Sequence, residues 1–191
     1  MTKIAIIVGS TREGSYNQAL AQLASARLIE HGAKLTLINP GALELPIYSD
    51  ALEKTALPAN VLALKEALAA QDGLLVISPE YNGSIPPLLK NALDWASRPT
   101  GDESLIALSA FRGKAAAIMS ASVSPFGGLR GLMHLRQILT TIQMVIIPDQ
   151  VVIPFAHAAF DEEGNLREAL PASLVDMATA RLVKVAGALA V

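Results

Sequence analysis

The residues best suited to chemistry fall in two short loops. The first reads Gly9-Ser-Thr-Arg-Glu-Gly-Ser-Tyr-Asn17 and offers hydroxyls at Ser10, Thr11 and Ser15, a guanidinium at Arg12, the phenol of Tyr16, an amide at Asn17 and the free N–H groups of a helix start. A phosphate needs that set: backbone and hydroxyl donors around a dianion, one cation nearby, and the positive end of a helix dipole beneath. The loop lacks both the G-x-G-x-x-G of dinucleotide folds and the terminal G-K-[ST] of triphosphate loops, so a monophosphate suits it better. Helix capping by Ser15 or Asn17 with a turn at Gly14 explains one of these residues and leaves Arg12 unused.

The second loop, Pro79-Glu-Tyr-Asn-Gly-Ser84, joins a rigid proline to an Asn-Gly turn. Pro79, Glu80, Tyr81, Asn82 and Gly83 could present backbone donors and a ring to the edge of a flat heteroaromatic ligand, though Asn-Gly alone is an ordinary turn. A third stretch, Ser120 to Gly128, is rich in small residues that would let a ligand approach the backbone, with Ser120 and Gly127 as its candidates; taken on its own, a flexible connection explains it better.

These loops need elements to hold them. Lys3 to Gly9 is a β-branched apolar run ending at glycine, which is how a strand buried on both faces reads. A helical stripe follows from Asn17 to His31, with Leu20, Leu23, Ala24 and Leu28 in phase and Gly32 closing it. Further strands are expected over Lys34 to Ile38, Leu74 to Ser78 and Lys114 to Ser120, and a fifth within Met144 to Ile153, interrupted or edged by Pro148. Helices are expected over Ala59 to Gln71, Pro86 to Ser97, from Gly128 to Ile142, and over Ala169 to Leu189; Asn39 to Pro58 reads as a long connection and Asp161 to Asn165 as a turn.

Alternating strands and helices imply right-handed βαβ units and a parallel sheet covered on both faces. Five strands and five helices within 191 residues, with no repeat or linker, predict a single α/β domain over 1–191: a flavodoxin-like three-layer sandwich with strand order 2-1-3-4-5. In that order ligands bind beyond the carboxyl ends of strands one and three. The two richest loops lie there.

Composition closes off other classes. There are no cysteines, so disulfides, thiolate metal sites and dithiol redox chemistry are out, and electron transfer requires a bound cofactor. A net charge of −2 without a basic cluster gives no footprint for nucleic acid or anionic membrane. Hydrophobic residues reach 52% and mean hydropathy +0.42, yet the longest weakly charged stretch, Leu139 to Phe160, carries Asp149, Pro148 and Pro154 and does not suit a membrane helix. Because Lys3 to Ser10 runs straight into a loop with its own chemistry, no secretory signal is expected and the cytoplasm is the default compartment. The aliphatic excess suits a buried contact between subunits.

Three segments, GSTREGSYN, SPEYNGSIPPLLKNALDWAS and GGLRGLMHLRQIL, together resemble the NADPH-dependent FMN reductase family, which includes quinone, azo-dye and chromate reductases. The resemblance runs from the first strand to about Gln143. It implies that FMN is bound with its phosphate on Ser10, Arg12, Ser15 and Asn17, that Pro79 to Gly83 line its ring, and that the Ser120 to Gly128 loop completes the pocket. It further implies hydride uptake from NADPH or NADH, delivery to a small-molecule acceptor, and a homodimer or homotetramer with FMN near the interface. Many relatives carry tyrosine where Met133 stands, so no role of that tyrosine is carried over. No catalytic acid or base is required, since the cofactor does the chemistry and the protein positions it.

Other residues read more plainly. His31, His134 and His157 are too scattered for a metal, and none is predicted. Glu80 read as a general base competes with a solvated surface carboxylate, Lys90 and Asp94 form an i, i+4 surface pair, and Trp95 suits core or interface packing better than flavin stacking. Arg130 and Arg136 suit a subunit contact or a nicotinamide phosphate. A non-enzymatic flavodoxin-type electron carrier shares the fold but is usually strongly acidic and stacks FMN between aromatics. A scaffold that has lost its cofactor would not keep an intact phosphate loop.

Overall fold

The computed structural model describes residues 1–55 and 57–190. Ala56, within the connection expected from Asn39 to Pro58, and Val191, the last residue of the expected domain, lie outside the described residues.

The apolar runs form strands β1 (Lys3–Val8), β2 (Lys34–Ile38), β3 (Gly73–Ile77), β4 (Ala115–Ala121) and β5 (Val145–Ile153). They pair in parallel in the order β2-β1-β3-β4-β5, the order expected from the sequence. Ile7 lies between Ile38 and Val76, and Val76 in turn faces Ile118. Pro148 sits on the edge strand β5, where the register against β4 shifts between Ala116 and Ile118. A residue with no N–H donor is tolerated at such a place.

Side chains alternate across the sheet, so each strand feeds two cores. Ile4, Ile6 and Val8 pack with Leu20, Ala24 and Leu28 of α1 (Tyr16–Glu30) and with Val175, Ala178 and Leu182 of α7 (Ala169–Leu189). Ala5 and Ile7 face the other layer, made by Leu64 and Leu68 of α3 (Ala59–Ala69), Leu89 and Leu93 of α4 (Pro87–Ala96), and Leu132, Leu135 and Leu139 of α5 (Leu129–Thr141). Truncating any of these buried leucines to alanine costs about 2–5 kcal/mol.

Two helices were not expected. The Asn39–Pro58 connection contains α2 (Asp50–Thr55), a polar turn and a half with no buried residue, so it has no apolar period to read. Its stability comes from side chains: Lys54 pairs with Asp50, and Glu53 accepts from the Tyr48 hydroxyl at 2.8 Å and from Arg98 Nε at 2.9 Å. The same connection is pinned to α4, where Asn91 Oδ1 accepts from Tyr48 N at 2.8 Å and the indole N–H of fully buried Trp95 donates to the Pro46 carbonyl at 2.7 Å. Trp95 is therefore core. The second addition is α6 (Ala156–Ala159), a single turn after β5. Among the described residues no helix is long and apolar enough to cross a membrane.

Candidate active site

The first loop leaves the sheet where β1 and β3 diverge: Gly9 N donates to the Ile77 carbonyl at 2.8 Å and the chain then turns away to start α1. Ser15 is the N-cap of that helix, its Oγ accepting from Asn17 N at 3.3 Å. Ser10 and Ser15 are both buried. Among the described residues, the backbone N–H groups of residues 11 to 16 donate no hydrogen bond within the protein. The result is a cup of unused donors at the positive end of a fifteen-residue helix. Exposed Arg12 lies with its guanidinium 5.8 Å above the Tyr16 ring, which itself stacks on Phe160 with centroids 6.1 Å apart. Glu13, the one carboxylate of the loop, is exposed.

Asn17 differs from the expectation. Its amide is already paired, donating to the Ala121 carbonyl at 2.8 Å and accepting from Ala121 N at 3.0 Å. It fastens α1 to the end of β4 and so fixes the cup of donors.

In the second loop Tyr81 and Ser84 exchange backbone hydrogen bonds of 2.8 and 3.0 Å, and Asn82 and Gly83 have φ of 51° and 80°. That is a two-residue turn with both central residues left-handed, which Asn-Gly tolerates. Tyr81 is half exposed. Glu80 is not the solvated carboxylate expected: its side chain is 6% exposed, its Oε1 accepts from Arg130 Nε at 2.7 Å, and its Oε2 accepts from Gly131 N at 3.2 Å.

The third loop is tighter than its composition implies. Gly127 and Gly128 are buried with φ of 60° and 91°; a Cβ on Gly127 would meet Pro154 N at 2.9 Å, and one on Gly128 would overlap Ser120 Oγ. Gly127 makes room for the backbone at the end of β5, and Gly128 for the Ser120 side chain. Ser120 is fully buried under Gly128, and its hydroxyl has no partner among the described residues.

A cleft of about 150 Å³ gathers Ser10, Arg12, Ser15, Tyr16, Asn17, Pro79 and Tyr81 with Ala121, Ser122 and Val123. Seven of the expected residues thus come together from two loops 62 positions apart, counted from Asn17 to Pro79. Glu80, Asn82, Gly83, Ser120 and Gly127 do not line it. Ala121 to Val123, not singled out individually by sequence reasoning, belong to the Ser120 to Gly128 stretch expected to let a ligand approach; they sit at the carboxyl end of strand β4, where ligands of such sheets lie.

The remaining residues fall outside the cleft. His31 caps the end of α1 and pairs with Asp176 at 2.9 Å, Lys90 pairs with Asp94, and Arg136 reaches the Ile147 carbonyl and Gln150 at 3.4 Å. Among the described residues no cluster of His, Asp and Glu is placed to hold a metal.

Sheet order and cleft position define a flavodoxin-like protein with a donor-lined cleft at its switch point. The donors fit an FMN phosphate: free N–H groups, two buried hydroxyls, a movable guanidinium and a helix dipole. Residues 2–158 match the model of a family described as NADPH-dependent FMN reductase. The chain is 37% identical over 165 residues to a 2-hydroxy-1,4-benzoquinone reductase of a Burkholderia species, covering 86% of this chain and 85% of that one. It is 38% identical over 165 residues to an NAD(P)H-dependent FMN reductase of Pseudomonas aeruginosa, covering 86% and 84%. Among solved structures it superposes on FerB, a flavoenzyme NAD(P)H:(acceptor) oxidoreductase from Paracoccus denitrificans, with a TM-score of 0.84, 28% identity and 98% of both chains covered. The chain belongs to the NADPH-dependent FMN reductase family, and its class is that of an oxidoreductase enzyme working with FMN and NAD(P)H.

Proposed function

We propose that the cleft holds the FMN phosphate on Ser10, Arg12, Ser15 and the N–H groups of residues 11 to 16, with the flavin ring against Pro79 to Gly83 and Ala121 to Val123. The carrying observation is the run of unused N–H donors beside two buried serine hydroxyls. Bound there, FMN supplies hydride acceptance from NAD(P)H and redelivery to a second substrate. The chain's part is to hold and shield. The left-handed Asn82-Gly83 turn keeps its peptide N–H groups out of any strand ladder, where they can stabilise negative charge on a ring edge. Tyr81, half exposed at the cleft, gives the ring and a flat second substrate an aromatic wall.

The acceptor is a quinone or a compound of similar shape and charge, a reading supported by the benzoquinone reductase at 37% identity and by the mostly uncharged lining of the cleft. A homodimer or homotetramer is supported by exposed Tyr81, Phe126, Leu129 and Met133 around the second loop and α5. The cytoplasm is the compartment we assign, on the absence of cysteines.

The test is the visible spectrum of the purified protein, FMN titration of the apoprotein, and NADPH or NADH oxidation with a benzoquinone. Flavin absorbance that bleaches with pyridine nucleotide and recovers with quinone is expected. Failure of FMN to bind at micromolar concentration refutes the site. Reduction of the flavin without turnover on any quinone refutes the acceptor alone.

A further inference from the structure

The hairpin expected to face the flavin ring is held from outside the cleft by α5, at both of its ends. At the entry, the Glu80 carboxylate takes the Arg130 guanidinium and the Gly131 N–H. At the exit, Ser84 Oγ lies 3.0 Å from His134 Nδ1. Between them the backbones come close: a Cβ on Gly131 would lie 3.2 Å from the Ser84 carbonyl and 3.4 Å from Glu80 Cα, so a methyl group there would ask the hairpin to give by a few tenths of an ångström. Helix α5 also lacks a side-chain cap of its own, because its N-cap is Gly128, forced to be glycine by Ser120 beneath it. Glu80 satisfies the N–H of the third helical residue from a different element, 51 positions away.

Resting on the FMN reading above, the geometry points to Glu80 as a positioning residue for the cofactor ring: it locks the Pro79–Ser84 hairpin to α5 and cancels the charge of Arg130 beside it. The carboxylate never enters the cleft. It acts by fixing where the Tyr81-Asn82-Gly83 peptide groups stand and by keeping the electrostatic field next to them neutral. Arg130 also lies 5.1 Å over the Phe126 ring, so the same salt bridge ties the hairpin to the loop that follows β4. With the carboxylate gone, Arg130 keeps its positive charge and loses its counterion, and the hairpin loses its hold at the entry.

Binding of two flavins separates this role from a general structural one. Riboflavin has the ring but no phosphate. Glu80→Ala should weaken FMN and riboflavin by the same factor, about tenfold for loss of a charge-assisted clamp, whereas Arg12→Ala should weaken FMN alone. Glu80→Gln retains an oxygen for the Gly131 N–H but leaves Arg130 uncompensated. It should bind both flavins less than threefold more weakly and shift the midpoint potential of bound FMN in the positive direction, because an unbalanced cation favours the more negative reduced form. If Glu80→Ala fails to fold, Ser84→Ala, which removes only the His134 fastener, should weaken both flavins by about two- to threefold. Wild-type affinities and an unchanged potential in the folded variants would overturn the inference. A wild-type protein that binds no FMN would instead refute the site itself.

Discussion

Two loops of this chain look alike on paper. Each follows a strand whose apolar residues are all buried, and each is rich in serine and glycine. In the loop after β1, the N–H groups of residues 11 to 16 have no partner among the described residues, and Gly14 has nothing among them within 4 Å of where a Cβ would stand. In the loop after β4, Ser122 N donates to the Ile153 carbonyl at 3.0 Å, Ser124 N to Ser122 Oγ at 3.2 Å and Gly127 N to the Ser124 carbonyl at 3.2 Å, with Gly127 and Gly128 wedged against β5 and Ser120. One loop leaves its donors open; the other uses them to fold itself. Composition does not separate the two, but position does, since only the first starts at the switch point between β1 and β3.

The sharpest way to break this contrast is to put a methyl group into the packed loop. Gly128→Ala places a Cβ on Ser120 Oγ and asks alanine to hold a φ of 91°, which should cost about 3 kcal/mol of stability. Urea denaturation of the apoprotein measures it. A loss below about 1 kcal/mol would mean the loop yields easily and is not the rigid counterpart described.

The reciprocal change in the open loop should touch binding and spare folding. Arg12→Ala removes an exposed guanidinium that lies over the Tyr16 ring, so stability should stay within about 0.5 kcal/mol. FMN affinity should fall by roughly 1.5–3 kcal/mol, about ten- to more than a hundredfold, the worth of a charge-assisted hydrogen bond. Fluorescence titration decides it, and unchanged affinity would move the phosphate away from this loop.

Much of this was legible beforehand. The apolar runs at Lys3, Leu74 and Lys114 predict strands buried on both faces, and the strand order places Gly9–Asn17 and Pro79–Ser84 in one cleft, where seven of the expected residues meet. What escaped were relations between distant side chains. Asn17 reads as a donor on its own helix, yet its amide is taken by Ala121, 104 positions away. Glu80 reads as a surface carboxylate because Arg130 is fifty positions off. Helix α2 buries nothing and so shows no period.

Polar groups engaged far from the cleft give a third contrast, this one set by pH. Buried Lys65 donates to Glu103 and to the Arg98 carbonyl, and the Lys65 and Ser109 hydrogen bonds hold the Glu103 carboxyl down at about 2, below its ordinary 4.5. Below 4.5 the unfolded chain binds the proton that the folded chain refuses. The stabilisation is therefore present at neutral pH and lost as pH falls from about 4.5 to about 2. At roughly 1.4 kcal/mol per unit, reduced for a partly exposed carboxylate, it amounts to about 2 kcal/mol. Urea midpoints compared at neutral and acid pH should show this increment clearly reduced in Lys65→Met relative to the wild type, with a remainder from the Ser109 and Thr100 hydrogen bonds.

Gly14→Ala is the mildest change and the most discriminating partner to Gly128→Ala. Both glycines are left-handed, at φ of 64° and 91°, so backbone strain is common to both substitutions. Only Gly14 has open space around its missing Cβ. The variant should lose about 1 kcal/mol, the backbone cost alone, and the difference from Gly128→Ala isolates the packing component. Alanine keeps its N–H, so FMN affinity should change by less than about threefold if the phosphate is held by backbone donors. A tenfold loss at Gly14 with wild-type stability would mean that the ligand fills the space a methyl group needs, bringing the phosphate closer to the loop than its hydrogen-bonding groups alone require.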